Sequence, residues 1–92
     1  MPYDEMSDEA LLERIARCDH AALATLYDRH AAAAMTIATL VTGRRAAAEA
    51  VVEQLFWSVW RGEIAGDGRV RHHLMLGARQ LARARVAFPL GG

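Results

Sequence analysis

"AEAVVEQLFWSVWRG" occupies residues 48–62. Val51, Val52, Leu55, Phe56 and Val59 recur at intervals of three and four, the period of one helical face. Strand alternation does not fit this pattern, and Gly62 is a natural stop. At about 100° per residue, the apolar arc centres between Val51 and Phe56. Ala50, Glu53, Trp57 and Arg61 then fall on the opposite side, while Trp60 sits at the edge of the arc. An amphipathic helix cannot bury its face alone, so the rest of the chain has to supply helical partners.

Three further helices are read around it. The first covers about residues 8–17, with Ser7 as N-cap, Asp8 and Glu9 in the first turn, and Leu11, Leu12 and Ile15 as an apolar stripe. Asp19 can cap a second helix over 20–42. In it Leu23, Leu26, Tyr27, His30, Ala34, Ile37, Ala38 and Val41 keep the helical period, and Gly43 suits the position just past its end. The run "HAAAAM" at 30–35 carries small side chains, so a neighbouring helix can approach closely there. The opening stretch forms the third helix, over about 46–61. The fourth covers about 70–86, with Val70, Leu74, Gly77, Ala78 and Leu81 on one side and Phe88-Pro89 as its stop. The expected fold is all-α, a compact four-helix domain spanning residues 1–92. Leu23, Leu26, Val51, Val52, Leu55, Phe56, Val59, Leu74 and Leu81 are expected in one core.

The chain has 92 residues, 53% of them hydrophobic, which suits one small folded domain. No stretch approaches the roughly 20 apolar residues of a membrane span. The N-terminus reads "YDEMSDE" and carries no signal-peptide pattern. A single cysteine, Cys18, leaves no intrachain disulfide, so a cytoplasmic location is expected. Charge is unevenly spread. Residues 1–65 hold ten Asp/Glu against six Arg, whereas residues 66–92 hold Asp67 against five Arg. That asymmetry suggests a polyanion or acidic partner at the C-terminal end. All eleven basic residues are arginine.

No catalytic constellation stands out. Cys18 and His20 lie close in sequence and His72 and His73 are adjacent, but neither pair has the spacing of a zinc motif. Asp19 beside Cys18 opposes thiolate formation. No glycine pattern precedes a helix as a phosphate loop requires. The chain is therefore not expected to be an enzyme or to need a metal or cofactor.

Two faces remain. Trp57 on the third helix either meets a partner or lies under the N-terminal segment or a loop. On the fourth helix His72, Arg79 and Arg83 fall within roughly 40° of one another, with Leu76 interrupting the stripe. Arg71 lies at the edge of the apolar side, and Arg85 points towards it near the helix end. Such a stripe suits nucleic-acid phosphates, and it is also what a solvated charged face looks like.

The order of segments "SDEALLERIARCDHAALATLYDRH" (7–30), "AEAVVEQLFWSVWR" (48–61) and "VRHHLMLGARQLARARV" (70–86) resembles region 2 of bacterial extracytoplasmic-function (ECF) sigma factors, over about residues 7–86. The resemblance implies a cytoplasmic transcription-initiation domain whose third helix docks on the β′ clamp helices of core RNA polymerase. The corresponding residues here are Ala50, Glu53, Gln54, Trp57 and Arg61. It also implies that the fourth helix and the loop before it engage the promoter −10 element, which here singles out Arg71, His72, Arg79, Gln80, Arg83 and Arg85. The family's usual "AEDVVQEVF" differs here at Ala50, Glu53 and Gln54. The loop after Trp60 is shorter than usual and lacks the "DP..G" pattern, His73 replaces a tryptophan, and "ARN" reads "ARQ" at 78–80. These departures make an alternative expectation concrete: a sigma-like interaction module that binds an anti-sigma factor or another regulator without reading a promoter. A third reading is homodimerisation through Trp57, although a monomer is expected. No region 4 follows residue 92, so the chain is expected to be either a region 2 domain alone or a stand-alone relative.

Overall fold

A computed structural model describes residues 2–87. After a single 3-10 turn at Tyr3–Glu5 come α1 (Asp8–Ile15), α2 (His20–Thr42), α3 (Arg45–Trp60) and α4 (Val70–Ala87). Among the described residues there is no strand, and no helix is long and apolar enough to cross a membrane. The expected all-helical, four-helix fold is present. The proposed stop at Phe88-Pro89 lies outside the described residues.

Local chemistry sets the boundaries. The Ser7 hydroxyl accepts from the Ala10 N–H at 3.1 Å, and the Asp19 carboxylate accepts from the Ala22 N–H at 3.2 Å, so both expected N-caps form. Gly43 takes φ +70° beyond α2, and its N–H closes on the Thr39 carbonyl at 2.8 Å. α1 ends two residues earlier than the sequence suggests, and the reason is Cys18. It adopts φ +63°, the left-handed conformation that glycine usually supplies after a helix. The Cys18 N–H then reaches the Ile15 carbonyl and the Asp19 N–H reaches the Arg14 carbonyl. These two bonds are the reciprocal pair of a Schellman stop.

α1 lies antiparallel to the first half of α2: Asp8 at its start meets Arg29 and His30, and the turn at its end brings the chain straight back into the start of α2, where the Asp19 N–H bonds the Arg14 carbonyl. α3 runs antiparallel to α2, with the His20 and Trp60 rings stacked at 4.6 Å near one end and Ala38 and Ala48 packed together near the other. α4 returns parallel to α2 and completes the bundle.

The interior divides in two. A large cluster gathers Leu11, Ile15, Leu26, Val52, Leu55, Phe56, Val59, Val70 and Leu74. A smaller one is made of Ala38, Ala48, Val51 and Ala82. The single core expected from the sequence is corrected accordingly: Val51 belongs to the alanine cluster, and Leu23 and Leu81 are only partly buried at the margins. Small side chains allow this packing. Ala34, Ala38, Ala48, Ala78 and Ala82 are fully covered; of the alanine run at 31–34 only Ala34 is, and Ala32 is exposed. Gly77 lets α4 approach α3 so closely that an added Cβ would stand 2.9 Å from Leu55 Cδ1.

His30, read as one member of an apolar stripe, is buried for a different reason. Its Nε2 lies 2.9 Å from Asp8 Oδ2 and its Nδ1 lies 3.2 Å from Arg71 Nη1. Arginine can only donate, so Nδ1 accepts from Arg71 and Nε2–H donates to Asp8. The other Asp8 oxygen accepts from Arg29 at 3.1 Å, and Arg29 also donates to the Tyr3 and Asp4 carbonyls. One polar junction thus ties the N-terminal turn, α1, α2 and the start of α4. No buried side-chain nitrogen or oxygen among the described residues lacks a partner.

The N-terminal turn has a second tether. The Tyr3 hydroxyl donates to Asp19 Oδ2 at 2.6 Å. That bond, helped by the Ala22 N–H and by Arg14, holds the Asp19 carboxyl below its ordinary range, while the same contact pushes the Tyr3 phenol up. A carboxyl depressed in the folded state stabilises above its unfolded pKa, and that contribution fades as pH falls through the folded value. Tyr3→Phe is therefore expected to raise the Asp19 pKa towards its ordinary value. Carbon-detected NMR titration of the Asp19 carboxyl measures this directly, and an unchanged titration would place the cause elsewhere.

Candidate functional site

Two helical faces and a groove make up the candidate surface. On α3, Glu53, Gln54, Trp57 and Arg61 are exposed and Ala50 is half-covered. Trp57 is 55% exposed, whereas Trp60 is partly buried against the core and stacked on His20. Among the described residues, neither the N-terminal segment nor a loop covers Trp57. Arg61 is turned to its own loop, where its Nε donates to Glu63 at 2.7 Å. The contact holds the Glu63 carboxyl below its usual range and raises the Arg61 guanidinium further.

On α4, His72, Arg79, Gln80, Arg83 and Arg85 are all exposed. Arg79, Arg83 and Arg85 have no carboxylate within ion-pair distance among the described residues. Arg71 differs, because its guanidinium is engaged with His30. Leu76, 43% exposed, interrupts the stripe as the sequence indicated.

The loop between α3 and α4 is organised by Asp67. Its carboxylate accepts from the Arg69 N–H at 3.1 Å and lies 2.9 Å from His73 Nε2. The hydrogen bond with His73, aided by the Arg69 N–H and by the His73 charge when protonated, keeps Asp67 below its ordinary range. His73 thereby holds the loop to the first turn of α4.

The groove was not legible in the sequence. It runs between α2 and α3 and has a volume of about 660 Å³. α2 contributes His20, Leu23, Tyr27, Ala31, Ala32 and Met35, and α3 contributes Glu49, Val52, Glu53, Phe56, Trp57 and Trp60. Tyr27, read as one member of the apolar period of α2, is 45% exposed, with its ring edge-on to Phe56 at 4.9 Å between centroids. The physical cause is the alanine pair at 31–32, which leaves empty the space that larger side chains would fill. Each helix shows its lining residues at helical spacing, but only the tertiary pairing turns two stripes into one trough.

Cys18 is exposed in the α1–α2 turn, and His72 lies edge-on to His73. Comparison with protein-family models, with curated proteins and with solved structures finds no match. The fold and surfaces thus define the class as an all-helical, four-helix domain with one aromatic acidic face and one arginine-rich face.

Proposed function

We propose that this chain acts as a sigma region 2-like domain in transcription initiation, binding core RNA polymerase through α3 and promoter −10 DNA through α4. The observation that carries this reading is the pairing of two outward faces on one frame. Trp57 stands exposed with Glu53 and Gln54 on α3, and Arg79, Arg83 and Arg85 of α4 have no carboxylate partners among the described residues. The order of segments, which resembles ECF region 2, gives those faces their partners. Binding and electrostatic positioning do the work, with no covalent chemistry. Arg79 and Arg83 supply phosphate contacts, which fix register without reading sequence.

Replacing both Arg79 and Arg83 by alanine is expected to weaken binding of labelled promoter strands. It should also flatten the salt dependence by about one to two units of log–log slope, because fewer counterions are released. Fluorescence anisotropy at several salt concentrations, with and without core polymerase, measures both. No binding of wild-type protein in either setting would remove this reading.

A second reading, a regulatory module that binds an anti-sigma factor or another protein, is favoured by one specific observation. Arg71 is committed to His30, and the loop's Asp67 is committed to His73 and the Arg69 N–H. Both groups are thereby withdrawn from the region that would capture a promoter base.

A further inference from the structure

We propose that the α2–α3 groove is the docking site for one amphipathic helix of a partner protein, with an apolar ridge about three turns long flanked by lysine or arginine. The inference rests on the groove and needs neither the polymerase nor the promoter reading. Shape is the first ground. From Glu49 to Trp60 the α3 wall runs about 16 Å, the length of three helical turns. The lining positions on α3 follow 49, 52, 53, 56, 57 and 60, so the trough lies along the helix axis and accepts a rod. Both walls are helices, and among the described residues there is no strand edge on which an extended peptide could pair.

Chemistry is the second ground. The floor is alanine, valine and phenylalanine, and Tyr27 and Trp57 stand at the rim as large, rigid aromatic groups. Such groups dominate binding energy where they become covered. Charge is the third ground and selects the partner. Glu53 and, at the neighbouring end of the trough, Asp28 have no cation within ion-pair distance among the described residues. Glu49 is met only by the exposed Arg45. His20, the one basic side chain in the lining, lies flat on Trp60. An arriving helix with basic flanks therefore finds unpaired carboxylates beside an apolar seat, and one with acidic flanks is repelled. A second copy of this chain is a poor fit. The outward face of α4 carries the arginines, but Leu76 and Val86 are its only large exposed apolar groups, ten residues apart.

The probe is a fluorescein-labelled synthetic amphipathic peptide with leucines at i, i+3, i+4, i+7 and i+11 and arginines on both flanks. Its counterpart carries glutamates in place of the arginines. Anisotropy with the full chain is expected to show the basic peptide binding at least about tenfold more tightly than the acidic one, with binding weakened by salt. Ala32→Arg should weaken the basic peptide by about tenfold or more, since it sets a like charge in the floor. Glu53→Arg should weaken the basic peptide and strengthen the acidic one. Both sites are exposed, and circular dichroism verifies that each variant is folded. The inference is overturned by equal binding of both peptides, by indifference to Ala32→Arg, or by amide shifts that map to α4. It is also overturned by a concentration-dependent dimer that Ala32→Arg dissolves, which would make the occupant a second copy. Ala32 shares the trough with Glu53 and Trp57 of the α3 face, but it is not among the α4 arginines that the proposed function assigns to DNA. Loss of peptide binding in Ala32→Arg with promoter-strand binding intact, or loss of promoter-strand binding in the Arg79 and Arg83 alanine variant with peptide binding intact, therefore separates this inference from the proposed function.

Discussion

Phe56→Ala is expected to destabilise the domain by about 3–5 kcal/mol, while Trp57→Ala, one residue further on, should cost less than about 1 kcal/mol. Phe56 is only 6% exposed and belongs to the large cluster, where its ring meets Tyr27 edge-on. Truncation removes the transfer free energy of the ring and leaves a void between α2 and α3 that the Val52 and Leu55 neighbours can fill only in part. Trp57 is 55% exposed, so most of its surface is already in water. Urea unfolding followed by circular dichroism gives both values, provided the m-value is unchanged. Comparable costs at the two positions would mean that α3 presents a different face to the core.

Asp8→Ala is the second large effect, expected at about 2–3 kcal/mol. The side chain is 20% exposed and accepts charge-assisted bonds from Arg29 and His30. Removing it leaves the buried Nε2–H of His30 without an acceptor, which is the costlier half of losing a hydrogen bond. Asp8→Asn retains an acceptor for His30 while losing the charge, so it should fall between wild type and Asp8→Ala. If Asn and Ala behave alike, the charge rather than the bond holds the junction. If neither shifts the urea midpoint, water replaces Asp8 without loss.

The distribution of what sequence reading captured follows physical range. α2 was legible to the residue because both its ends are written locally, in Asp19 before it and Gly43 after it. The exposure of Trp57 was legible because one helix's periodicity decides it. The end of α1 was not, since Cys18 performs a role that the sequence usually assigns to glycine. His30 and Arg71 stand 41 residues apart, and nothing in either segment announces their bond. The exposure of Tyr27 was not legible because helical spacing gives an angle but not what lies across from it. The groove and the separation of Val51 from the main core share that cause: both depend on which helix is the neighbour.

The two interior clusters differ in what ordering asks of their side chains. Leucine gives up about 0.5–1 kcal/mol of rotamer freedom on burial, and alanine gives up none. The end of the bundle built on Ala38, Ala48 and Ala82 around Val51 therefore closes with less side-chain entropy lost than the leucine-rich end, but each alanine methyl contributes little apolar area to hold it shut. Opening there exposes little and frees little, so it is a low-energy fluctuation compared with opening the leucine-rich end. The bundle is thus graded along its length, firm where His20 stacks on Trp60 and prone to breathing around Gly43. Met35 and Glu49, at one mouth of the trough, border the loose end, and His20 and Trp60 border the firm one. A rod seated along the trough would splice the two, and its binding would register as slowed amide exchange far from any residue it touches.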